Sequence, residues 1–149
     1  MKIIMMEPMH LQYELEGGNF TKAGFASSEI KKVLKQLNVD AKTIKRIVVS
    51  SYEAEVNIVA HAYSGIINAW IDNEKIVLHF NDKGPGIPDI EMAMQAGYST
   101  ASPAVREMGF GAGMGLPNIK NNVDLLEINS EVNKGTLVKF TIGLTPEMN

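Results

Sequence analysis

Apolar and polar residues alternate from His10 to Leu15, with Leu11, Tyr13 and Leu15 set against Gln12 and Glu14, which is the period of a half-buried strand. Gly17-Gly18-Asn19 ends that pattern. From Phe20 to Leu37 the apolar residues Ala23, Ala26, Ile30, Val33, Leu34 and Leu37 fall three and four apart, predicting an amphipathic helix. Lys31, Lys32 and Lys35 lie on its wet side and Asn38 is its stop. Gly24 leaves open whether Phe20 to Ala26 already belongs to the helix.

Asp40 reads as the N-cap of a second helix from Ala41 to about Tyr63. At 100° per residue, Ile44, Ile47, Val48, Val49, Tyr52, Val56, Ile58, Val59, Ala62 and Tyr63 cover most of its circumference, so the helix is largely buried. A narrow polar stripe remains: Arg46, Ser50, Glu53, Asn57, His61 and Ser64. Ile66–Ile71 and Lys75–Asn81 are β-rich and are joined by the hairpin turn Asp72-Asn73-Glu74. A loop-rich middle follows, with a short helical piece through Met92 and Met94. Pro117–Val123 is helical, and Leu125–Ser130 and Thr136–Leu144 are strands joined around Asn133-Lys134-Gly135. Paired strands with helices grouped around them predict an α+β two-layer sandwich, its mixed or antiparallel sheet covered by helices on one face. No repeat or linker divides the 149 residues, which form one domain.

Composition narrows the function classes. A net charge of −3 gives no electrostatic case for nucleic acid or anionic membranes. No cysteine is present, so disulfides and thiolate metal sites are excluded. The N-terminal Met1–Met6 run is interrupted too early by Glu7 and Pro8 for a signal peptide, and no apolar run is long enough to span a bilayer, so a cytoplasmic location is the expectation. His10, His61 and His79 are scattered and form no paired-histidine metal motif.

Three groups of residues could carry chemistry. Gly109, Gly111, Gly113 and Gly115 alternate with Phe110, Ala112 and Met114, and Leu116-Pro117 then opens a helix. Glycines let backbone N–H groups approach a ligand, and a helix start adds its unpaired N–H groups, so the segment reads as an anion cradle or as a flexible hinge. Glu53, Asn57 and His61 project within an arc of about 80°, and a stripe of short hydrogen-bonding groups is an odd choice for solvation alone. Asp82-x-Gly84-x-Gly86, followed by Ile87, fits either an ordinary turn or a carboxylate facing an amino group, with room for a flat ring. Walker, dinucleotide and nucleophile-elbow motifs are absent.

The ordered set Glu53-x-x-x-Asn57, Asp82-x-Gly84-x-Gly86, Gly109-x-Gly111-x-Gly113-x-Gly115 and Gly135-Thr136 resembles the GHKL (Bergerat-fold) nucleotide-binding superfamily, over about Phe20 to Ile142. Ala23–Lys32, Gly97-Tyr98-Ser99-Thr100 and Gly113–Lys120 are similar to the RsbT-like bacterial anti-sigma and switch-protein serine kinases. Ala101–Met108 and Met1–Met9 exceed that pattern.

The resemblance implies ATP or ADP with Mg²⁺ as ligands. Glu53 would be the general base and Asn57 the Mg²⁺ ligand. Asp82 would accept from the adenine amino group, with Gly84, Gly86 and Ile87 around the base and Thr136 completing its far end. Gly109, Phe110, Gly111, Gly113, Met114, Gly115 and Leu116 would belong to a mobile lid, residues 88–116, which also contacts the phosphates. Lys120 would reach a phosphate or face solvent. The implied activity is transfer of the ATP γ-phosphate to a serine of a STAS-type partner. The alternative is a nucleotide-dependent module that binds a sigma factor or other regulator with little turnover. A homodimer is compatible with either; nucleic acid and membrane partners are not expected.

Overall fold

The alternation around Leu11 becomes the edge strand β1 (Met9–Glu16) of a five-stranded sheet in a computed structural model that describes residues 7–95 and 115–144. The other strands are β2 (Ser64–Ile71), β3 (Lys75–Lys83), β4 (Leu125–Glu131) and β5 (Gly135–Gly143). Their order is β1-β2-β3-β5-β4 and every neighbouring pair is antiparallel. The expected sheet is thus antiparallel throughout the described residues. The Asp72 carboxylate accepts the N–H groups of Glu74 and Lys75 at 2.8 and 2.9 Å, which fixes the β2–β3 turn.

One face of the sheet meets the helices α1 (Phe25–Gln36), α2 (Ala41–His61) and α4 (Gly115–Asn122); a single turn, α3 (Ile90–Ala93), follows β3. Ile67, Ile71, Leu78, Phe80, Phe140 and Ile142 of the sheet form one core with Ile30, Leu34, Ile47, Ile58 and Ile119 of the helices. β-branched and aromatic residues suit this pleated, half-covered surface. On the opposite face His10 stacks on Trp70 at 5.1 Å and His79 meets the same ring edge-on at 4.7 Å, so two of the three histidines flank an indole. Among the described residues no group of His, Asp and Glu is arranged to hold a metal.

Several element bounds differ from the sequence reading, each for a local reason. Phe20–Lys22 is a separate 3₁₀ turn, and α1 starts only at Phe25 because Gly24 adopts a left-handed conformation, φ 94°. α2 stops at His61, where Ala62 turns extended and Tyr63 pairs its N–H with the Lys83 carbonyl. β3 runs two residues beyond Asn81 because Gly65 and Ser64 of β2 continue to pair with Asp82 and Lys83. Asp82 is therefore a strand residue, rigidly placed, and not part of the turn. α4 takes in Gly115 and Leu116 ahead of Pro117.

The polar stripe of α2 also needs correction. Ser50 is fully buried and donates to the Arg46 carbonyl at 2.8 Å, while Tyr52 and Tyr63, expected to be covered, are exposed. The residue that departs most from the pattern is Glu55, 0% exposed on the core side of α2. Gly24 has no side chain with which to cap α1, and Glu55 supplies the cap from the neighbouring helix. Its Oε2 accepts the Gly24 and Ala26 N–H groups at 2.9 and 3.2 Å; its Oε1 accepts the Ser27 N–H at 3.0 Å and the Ser27 hydroxyl at 2.7 Å. Four donors at a helix N-terminus compensate a buried negative charge.

Glu55→Ala should therefore destabilise the fold by at least about 3 kcal/mol, since it leaves several buried donors unpaired, whereas Glu55→Gln should cost about 1–2 kcal/mol. Urea denaturation with an unchanged m-value reads both, and a near-neutral Glu55→Ala would remove the capping role.

Candidate functional site

Three elements converge at the end of the sheet where β3 and β5 approach the last turns of α2. The first wall is α2. Glu53 and Asn57 stand one turn apart and are both half-buried, as the 3.6-residue period requires. His61 follows one turn on, also half-buried. Desolvation lowers its pKa, so the ring is neutral at pH 7.

α4 lies along this wall and is tied to it at three levels. At its start, a Cβ placed on Gly115 would lie 3.1 Å from both Oδ1 and Nδ2 of Asn57, a crowding that glycine avoids. One turn later the Asn118 amide donates to Glu53 Oε1 at 3.3 Å. At its end, Arg46 Nε donates to the Asn122 carbonyl at 2.9 Å, and Nη2 reaches Asp124 Oδ1 at 2.8 Å. Arg46, assigned to the wet stripe, is instead the clamp on the C-terminal end of α4, where a cation also suits the helix dipole. The start of α4 thus lies next to Asn57.

The floor is made by Asp82, Thr136 and the turn between them. Asp82 Oδ1 accepts the Thr136 N–H at 3.0 Å. Gly135 passes so close to Asp82 that a Cβ there would strike the Asp82 carbonyl, and its φ of 152° also favours glycine. Gly86 has φ 76°, and a side chain on it would collide with the Glu131 carbonyl. Gly84 donates to the Lys134 carbonyl at 3.2 Å, and its missing side chain leaves room for Ala62. These glycines first of all let the β4–β5 turn pack onto residues 82–87. Ser130 fastens that packing: its Oγ accepts the Ile87 N–H at 2.7 Å and sits 2.9 Å from Thr136 Oγ1.

The structure thus brings Asn57 together with Gly115, Glu53 with Asn118, and Asp82 with Gly84, Gly86, Ile87 and Thr136. Leu116 turns its side chain into the core, and Lys120 is exposed. Gly109, Phe110, Gly111, Gly113 and Met114 lie outside the described residues, as does most of the expected lid. Sequence reasoning missed Glu55, Asn118 and Ser130. The signal available for Glu55 and Ser130 was a polar residue at an inward position: Glu55 between Ala54 and Val56, and Ser130 two residues after the inward Ile128. Asn118 carried no comparable mark.

Comparison with known proteins gives a consistent family. The profile of the histidine kinase-like ATPase domain matches residues 21–142. A protein of Thermoanaerobacter sp. (strain X514) named anti-sigma F factor is 36% identical over 122 residues, spanning 78% of this chain and 82% of the relative. An anti-sigma F factor of Geobacillus stearothermophilus is 33% identical over 140 residues, 90% of each chain. The mycobacterial sensor histidine kinase MprB superposes with a TM-score of 0.53 at 17% identity, covering 93% of this chain and all of that one, which is a likeness of fold.

Burial raises the pKa of Asp82, and the Thr136 N–H offsets this only in part. The folded chain therefore holds this proton more tightly than the unfolded chain does. Asp82 accordingly works against folding increasingly as pH rises from the ordinary aspartate value of 3.8 through its raised folded value. Asp82→Asn should be at least as stable as the parent at pH 7, with the advantage shrinking toward pH 4. Thermal melts at both pH values check this; a variant that is relatively worse at pH 7 contradicts the assignment.

Proposed function

This chain belongs to the histidine kinase-like ATPase domain family, and we propose that it is an ATP-dependent protein-serine kinase acting on a small STAS-type regulatory partner. The observation that carries the reading is the placement of Glu53 and Asn57 on one wall of α2, directly against the N-terminal half of α4. An acidic residue and a neutral amide oxygen stand there beside the first turn of a helix, the end that favours an anion.

The residues fit a nucleotide. Asp82, held by the Thr136 N–H, offers its remaining lone pairs to an exocyclic amino group. Asn57 offers an amide oxygen, suited to a hard cation that keeps most of its waters. The start of α4, beside Asn57, is where a helix N-terminus would receive the phosphates. ATP bound in this way would supply the phosphoryl group, and Mg²⁺ the charge that balances its oxygens. Glu53 accepts the proton of the attacking serine hydroxyl, and Asn118 holds the carboxylate through Oε1, leaving Oε2 to turn toward the nucleophile. Most of the catalysis in such a site comes from positioning and charge.

The names of the curated relatives support a second, compatible activity, in which the same domain binds a sigma factor in a nucleotide-dependent way. A homodimer is one assembly in which it would do so. No helix among the described residues is long and apolar enough to cross a membrane, and we place the protein in the cytoplasm.

Incubation with Mg-ATP and the cognate STAS partner should yield phosphoserine. Glu53→Gln should slow transfer at least about 100-fold while leaving nucleotide affinity within a few-fold of the parent. Unimpaired transfer by this variant would show that Glu53 is not the base. Co-purification with a sigma factor without any phosphotransfer would favour the binding module, and absence of calorimetric heat with millimolar ATP or ADP and Mg²⁺ would overturn both.

A further inference from the structure

Ser130 sits on the helix-covered side of β4, and its hydroxyl has three neighbours. The Ile87 N–H points at Oγ from 2.7 Å, the Gly135 carbonyl oxygen lies 3.1 Å away, and Thr136 Oγ1 lies 2.9 Å away. A serine hydroxyl owns one proton and two lone pairs. Ile87 can only donate and the Gly135 carbonyl can only accept, whereas Thr136 can do either. One arrangement turns all three contacts into hydrogen bonds: Ser130 accepts from Ile87, donates to Gly135 and accepts from Thr136. In the reverse order the Ser130 proton goes to Thr136, and two unprotonated oxygens face each other across the Gly135 contact. The fully paired arrangement wins in a half-buried site.

The single hydroxyl proton of Thr136 is thereby drawn inward, and its Oγ1 shows only lone pairs to the pocket. Asp82, bonded through Oδ1 to the Thr136 N–H, has no proton to offer as a carboxylate. Both polar groups of the floor are therefore acceptors, and the order is set from behind by a residue on another strand.

We propose that Ser130 is a positioning residue for base selection: by holding the Thr136 proton it keeps the floor acceptor-only, favouring a purine that carries an exocyclic amino group over one that carries an oxo group there. The proposal rests on the nucleotide-site reading above and goes beyond it by naming the residue that fixes the pocket's polarity. An amino group brings two protons to these acceptors, whereas an oxo group sets a further unprotonated oxygen against them and leaves the ring N1–H as that edge's single donor, a mismatch that a desolvated site penalises. Without the Ser130 oxygen, the Thr136 hydroxyl is free to rotate outward and donate, and the penalty on the oxo group falls.

Calorimetric titration of the full chain with ATP and with ITP, in the presence of Mg²⁺, tests this. The parent should prefer ATP by at least about tenfold, the scale of one mismatched hydrogen bond. Ser130→Ala should lower that preference by about tenfold, and Ser130→Thr, which keeps a hydroxyl, should retain it. A merely structural role in holding the Ile87 turn would weaken both nucleotides alike and leave their ratio intact. An unchanged ratio in a Ser130→Ala protein that still binds ATP overturns the role of Ser130 and spares the nucleotide site. A parent that binds neither nucleotide overturns both. Should Ser130→Ala fail to fold, Thr136→Val removes the oriented oxygen instead; it should lower the ratio likewise, and an unchanged ratio there is equally decisive.

Discussion

A helix that is buried on most of its circumference must find partners for the charged groups it carries inward, and α2 is such a helix. Glu55 meets this demand by taking the N-terminus of α1. Arg46 and Glu53 meet it by bonding to the end and the middle of α4, whose start lies against Asn57. The two helices that flank α2 are thus located by polar contacts of fixed geometry as well as by apolar packing, which alone would tolerate sliding. The site inherits its precision from that arrangement, because the two side chains best suited to chemistry belong to the same few turns that perform the bracing.

The floor of the site obeys a related rule on the sheet side. Asp82 gains rigidity from being inside β3, paired across to Gly65, and the β4–β5 turn is pressed against it by residues that lack side chains. Glycines that look like sequence punctuation for a loop are here required because two backbones come too close for a Cβ. Ser130 then joins the turn after β3 to the start of β5 with one hydroxyl. Backbone approach and hydrogen-bond order, not bulk, shape this end of the pocket.

Much of this was legible in the chain. Strand alternation, the four-residue spacing on α2, and the Asp72 and Asn133-to-Gly135 turns located the elements, and the ordered motifs pointed to the GHKL superfamily, in agreement with the family match over residues 21–142. What escaped were contacts between elements distant in sequence. Periodicity counts Arg46 as solvated because its partners lie 76 and 78 residues further on. It is silent on Glu55 because a capping residue is normally sought at the helix it caps, and this cap arrives from 28 to 31 residues away. The stop of α2 at His61 was set by the pairing of Tyr63 with Lys83 of β3, and the extension of β3 through Asp82 by pairing with β2, not by local propensity.

The bracing of α4 has a mechanical corollary. Its Asn122 end is held by Arg46, which is itself bonded to Asp124, and Asp124 in turn accepts the Gly143 N–H at 2.7 Å, so that end is anchored to the far side of the sheet. At its other end Gly115 lies against the Asn57 amide, and Leu116 packs into the core. An eight-residue helix is about 12 Å long. Over that length a tilt of about 10° about the anchored end would displace Gly115 by about 2 Å. The Asn118–Glu53 bond lies part-way along the helix, so such a tilt would reach the Glu53 carboxylate in reduced measure.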